Sequence, residues 1–106
     1  MMAYKEFEFT LPKGLMDDRG TFHRQGRMRL TTGQDELVAR HNPRVRDNPA
    51  YGLFALLAVA IAQLGTVPQV TPELLEQLFV VDLTYLQNFY RQIHQQDGEF
   101  WELGET

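Results

Sequence analysis

The sequence predicts an α+β domain: an N-terminal two-stranded β-hairpin, then a short helix, then two longer helices packed together. Three observations predict it. Two early segments, 4–11 and 21–30, alternate apolar and polar residues with the period of a half-buried strand. Two later ones, 49–64 and 72–94, are apolar at helical spacing or almost throughout. Asn-Pro, Thr-Pro and Gly residues stand at the borders between them, where helices start and stop.

In YKEFEFTL, Phe7, Phe9 and Leu11 share one side, and Glu6, Glu8 and Thr10 the other. Pro12-Lys13-Gly14 ends or bends this strand, and Asp17-Asp18-Arg19-Gly20 is a turn signal. In TFHRQGRMRL, Phe22, Met28 and Leu30 fall on one face with Gly26 between them as a bulge, which completes a hairpin over 4–30. Such a hairpin is marginal alone and must cover something. Thr32 and Asp35 form a short capping box that opens a helix over 33–40. His41-Asn42-Pro43 breaks it, and a charged connection leads to Asn48 as cap and Pro49 at a first helical position.

The helix expected over 49–64 is apolar almost all round beyond Tyr51 and stops at Gly65. A helix with no polar face is buried on most sides. One hairpin and two helices barely wrap it, so oligomerisation or a stable partner is expected. Gly65 to Gln69 is a linker, and Thr71, Pro72 and Glu73 supply cap, first position and favourable charge for a helix over 72–94. Residues 97–106 read as an acidic, flexible tail in which Phe100, Trp101 and Leu103 alone offer anything to bury.

Composition sets the bounds. The 106 residues make one domain, 1–96, whose folding hides roughly two thirds of the unfolded surface. Apolar content of 43% with 23% charged residues is that of a globular chain. Without cysteine there is no disulfide scaffold and no thiolate chemistry, and without serine no serine nucleophile. MMAYKEFEF has no apolar core of a secretory signal. The longest apolar run, 53–62, is half the ~20 residues a bilayer span needs. The net charge of −4 divides into +2 over 1–47 and −6 over 48–106, a split that suits a protein partner or mutual attraction better than nucleic acid.

Few residues invite chemistry. Asp82 is the anomaly, a carboxylate in the apolar stripe of Leu75, Leu78, Phe79, Leu86, Phe89 and Ile93. It calls for a salt bridge to Arg24, Arg29, Arg44 or Arg46, a capping role towards a neighbouring helix or turn, contact with a partner, or acid–base work. Asp17 and Asp18 are too few for a calcium loop. His23 on a solvated strand face, His41 in a loop and His94 near a helix end make no metal cluster, so neither metal nor cofactor is expected. The glycines form no nucleotide-binding loop. Arg27, Arg29, Arg44 and Arg46 are a candidate basic patch, read as a solvated face, a surface for an acidic protein or, less in keeping with the charge balance, a nucleic-acid site. Phe79, Tyr85, Phe89 and Tyr90 are either helix packing or, with Asp82, a protein-docking surface.

The hairpin from LPKG to GTFHRQG, the NPAY helix opening and the FVVDLTYLQNFY run together resemble small phage tail assembly proteins, over residues 5–95. These occur in phages, prophages and phage-like contractile particles, and some are classed as tail assembly chaperones. The resemblance implies no catalytic residues. It implies a non-enzymatic assembly factor in the bacterial cytoplasm that acts through protein contacts, alone as a homo-oligomer or with a client such as the tape measure protein. The alternatives are a structural tail component retained in the particle and a small nucleic-acid-binding regulator. The acidic stretch after His94 lies outside the resemblance.

Overall fold

In a computed structural model the backbone is described for residues 5–105 and the side chains for residues 5–95. The predicted α+β class is the observed one. Strands β1 (Glu6–Met16) and β2 (Phe22–Arg29) form the antiparallel hairpin, with Phe7 opposite Met28 and Phe9 opposite Gly26. Phe9, Leu11 and Met28 are buried, while Glu6, Glu8, Thr10, Gln25 and Arg27 are exposed, as the alternation requires.

The Pro12-Lys13-Gly14 stretch interrupts this ladder without ending it. Thr10 pairs with Gln25 and Leu15 with His23, so residues 11–14 of β1 stand opposite Arg24 alone. Gly14 makes this bulge feasible: its φ is +105°, and a Cβ there would lie 2.6 Å from Arg24 Cγ. Arg24 fills the gap from the other strand, its Nε donating to the Leu11 carbonyl at 2.9 Å. Beyond the bulge the sidedness of β2 departs from the simple alternation. Phe22, expected inside, is half exposed, and His23, expected in solvent, is buried.

Helix α1 (Gly33–Arg40) has the anticipated capping box, Thr32 Oγ1 accepting from the Asp35 amide and the Asp35 carboxylate accepting from the Thr32 amide. The charged connection after it contains a one-turn helix, α2 (Pro43–Asp47), capped by Asn42. Asn48 then caps a 3-10 turn, Pro49–Tyr51, that feeds α3 (Gly52–Ala60).

The helix expected to reach Leu64 ends at Ala60. Residues Ile61–Leu64 form β3, which pairs antiparallel with β2 to give a sheet of order β1-β2-β3. The reason is tertiary. A hairpin alone leaves the outer edge of β2 unpaired, and IAQL can satisfy it while burying Ile61 and Leu64. Gly65, at φ +55°, turns the chain away and donates its N–H to the Gln25 carbonyl at 2.8 Å.

The segment expected as one helix over 72–94 is two. Thr71 caps α4 (Pro72–Leu75), the chain then turns through residues 76–79, and α5 (Val80–Glu105) begins afresh. The acidic tail expected over 97–106 falls on residues whose side chains lie outside those described. The core joins Leu11, Leu15 and Met28 of the sheet to Leu57, Leu75 and Leu86 of the helices. α3 buries Ala55, Leu57 and Ala60, but its Leu53, Phe54 and Leu56 are only partly covered. Among the described residues no helix is long and apolar enough to cross a membrane.

Candidate protein-interaction site

Asp82 sits in the first turn of α5 with no exposed surface. Its Oδ1 accepts the Lys13 amide at 2.9 Å and its Oδ2 the Gly14 amide at 3.0 Å. Two features demand an anion at this point. The successive N–H groups of the bulge form a small concavity that suits a negative group, and the start of a helix carries partial positive charge. One carboxylate serves both, and of the readings offered by the sequence the capping role towards a turn is the one observed. The arginine partner is not: Arg24 donates to Leu11, Arg29 to Asp35, and Arg44 to Glu73. Both oxygens are occupied and enclosed, so Asp82 is not placed to meet a substrate or a partner.

The aromatic side chains of the third predicted helix divide in two. Tyr85 and Phe89 stack at 6.0 Å and pack on Phe9, the Phe9–Phe89 pair being edge-on at 5.6 Å. Tyr85 also accepts the Thr10 amide with its hydroxyl at 3.3 Å, which blocks part of the open edge of β1. Tyr90 shares a 2.7 Å hydrogen bond with Thr31 and lies against His94. These three hold α5 on the sheet. Phe79 stands apart, 53% exposed, with the Lys13 ammonium 5.8 Å from its ring centroid.

Phe79 belongs to an exposed apolar run with Val80 (76%) and Val81 (45%) at the start of α5. Met16, on the hairpin, is a further exposed apolar side chain, at 54%. It shares a groove with Leu74 and Gln77, just ahead of Phe79, and pairs across the hairpin with the half-exposed Phe22. Val80, Val81 and Met16 were not singled out by the sequence, and Phe22 was placed on the inner face of its strand. The reversal of sidedness beyond the bulge brings Phe22 to the surface, and Val80 and Val81 lie on the side of α5 away from the buried Asp82 and Leu86.

The four arginines of the candidate basic patch are drawn to different places. Arg27 on β2 pairs with Glu6 at 2.9 Å. Arg29 makes a two-pronged contact with Asp35, at 2.8 and 3.1 Å. Arg44 reaches Glu73 and Glu76 while its guanidinium lies 4.2 Å from the Tyr51 ring centroid. Burial, helped by the hydrogen bond to Glu76, pushes the Tyr51 hydroxyl up to about 12. Arg46 is exposed on α2. Three of the four charges thus sit beside acids of this chain.

Hydrogen bonding from Arg29 holds the Asp35 carboxyl down at about 2, against an ordinary 3.8. A depressed carboxyl stabilises the fold fully above its unfolded value and loses that contribution as pH falls through the folded one. Urea midpoints should therefore drop between about pH 4 and pH 2, more steeply in the wild type than in Asp35→Asn. Equal slopes for the two would show that the Arg29–Asp35 pair adds nothing.

His23 and His94 are tied into the fold. His23 Nε2 meets Asp17 Oδ2 at 2.8 Å, and this hydrogen bond is the main cause holding the Asp17 carboxyl below its usual range. Asp17 also accepts the Arg19 and Thr21 amides, closing the hairpin turn. His94, expected at a helix end, lies within α5. It accepts the Thr31 amide on Nε2 at 2.9 Å, while Nδ1 faces the Tyr90 carbonyl at 2.8 Å and so carries the proton. Among the described residues no cluster of three or more His, Asp or Glu side chains is placed to hold a metal ion. No protein-family model matches the chain, and neither a curated protein nor a solved structure does.

Proposed function

We propose that this chain is a non-enzymatic tail assembly factor of a phage or phage-like particle, an adaptor or chaperone that binds a tail component such as the tape measure protein in the bacterial cytoplasm. The tail assignment rests on the resemblance of residues 5–95. The observation that carries the binding role is the exposed run Phe79-Val80-Val81. Apolar side chains clustered in the open, beside Lys13, are what a protein that shields an apolar client presents. Asp82 would act indirectly, by fixing the first turn of α5 against the hairpin and so holding that run in place.

The test is light scattering coupled to size exclusion, on the chain mixed with each tail protein encoded beside it. The expected result is a defined complex that Val80→Asp weakens by about tenfold or more without altering the circular dichroism of the free protein. Unchanged binding by Val80→Asp would remove this surface from the interface, and failure of the wild type to bind any tail protein would remove the assembly role. Finding the protein in purified particles would favour a structural tail component instead.

A further inference from the structure

A second surface, away from the Phe79 run, is formed where α3 meets α5. Leu53, Leu56 and Leu57 of α3 face Tyr90 and His94 of α5 across a groove of about 600 Å³. Leu56 also lines an adjoining cavity with Ala39, Val45 and Pro49, so the apolar channel continues along α3 towards α1 and α2. On this side of the all-apolar helix Leu53 and Leu56 are only partly covered. Arg91 stands on the rim, exposed and without an ion-pair partner among the described residues.

Gln95, the last residue whose side chain is described, lines the same groove. The sequence that follows, residues 96–106, contains Phe100, Trp101 and Leu103 with four acidic residues and no Lys or Arg. Its content matches the groove in both respects, apolar side chains for the leucines and negative charge for Arg91. The backbone of α5 runs on as helix to Glu105, so it continues past Gln95 and cannot turn back into the groove that its own residues 87–95 line. We infer that the groove between α3 and α5 receives residues 96–106 of a second copy, each chain giving its segment to the other in a two-fold symmetric dimer. Such reciprocal exchange closes on itself and is the commonest symmetry of oligomers. The inference is independent of the tail-assembly reading, since it concerns the protein alone.

Trp101 is the only tryptophan in the chain and reports on the contact directly. Light scattering on the purified full chain should give twice the 12.3 kDa of one copy at micromolar concentration. Trp101 emission should shift to the red as dilution separates the copies. Phe100→Ser combined with Leu103→Ser should yield a folded monomer. Arg91→Glu, at an exposed position, should raise the dissociation constant about tenfold and reduce its dependence on salt. A wild-type monomer would overturn the inference, and so would a dimer untouched by the Phe100 and Leu103 substitutions. Blue-shifted emission that does not change with concentration would overturn it too, since the segment would then be covered by its own chain.

Discussion

Replacing Asp82 by alanine should cost about 3–5 kcal/mol of folding stability, the largest loss expected from any single polar side chain here. The carboxylate is fully enclosed and accepts two amide N–H groups, from Lys13 at 2.9 Å and Gly14 at 3.0 Å. Each hydrogen bond to a charged acceptor contributes about 1.5–3 kcal/mol, and removing the acceptor strands its donor without a partner. Asp82→Asn should lose less, about 2–3 kcal/mol, because an amide can accept from one N–H but turns its own NH2 towards the other. Both values come from urea or guanidinium denaturation at neutral pH. A loss below about 1 kcal/mol for alanine would mean that water or a neighbouring group replaces the carboxylate.

Gly26→Ala should be nearly as damaging, at about 3 kcal/mol or more. A Cβ at this position would stand 2.4 Å from the Gln63 carbonyl oxygen and 2.6 Å from Phe9 Cζ. The first obstacle is the backbone of β3. The second is a ring packed against both Tyr85 and Phe89, so neither can step aside cheaply. The strain should be relieved at the weaker element, the four-residue β3. Denaturation would measure the total, and hydrogen exchange would show whether Ile61–Leu64 loses protection ahead of β1 and β2. Uniform loss across the sheet would place the strain elsewhere.

The hairpin and the helical starts after Thr32, Asn48 and Thr71 were legible in the sequence because their causes are local. Period-two alternation set the strands, and Thr32, Asn48 and Thr71 act as caps where their spacing predicted. The strand at Ile61–Leu64 was not legible. Its residues continue an apolar helical run, and only the open edge of β2, whose paired residues lie 33 to 38 positions earlier in the chain, makes them a strand. The interruption at 76–79 was hidden for a sharper reason. Leu75, Leu78, Asp82, Leu86 and Ile93 are all buried, at spacings that suit one unbroken helix, and no Gly or Pro marks the break. The stripe correctly named what faces inward while misstating the path of the chain. Asp82 itself could be recognised as out of place, but its partners are backbone amides, which have no signature in sequence. On the surface, Phe79 was legible as an aromatic of interest, whereas Val80 and Val81, which fall off the buried stripe, were passed over.

The hydrogen bonds from Lys13 and Gly14 to Asp82 span 69 and 68 residues of chain. During synthesis the hairpin is therefore made long before the group that locks its bulge. Until residue 82 has left the ribosome, β1 has an unsealed edge and two amides held only by water, and after that one side chain completes both the sheet and the helix lying on it. The nascent chain should accordingly be most adhesive in the middle of translation, between the emergence of β2 and that of α5, when cellular chaperones would find their substrate.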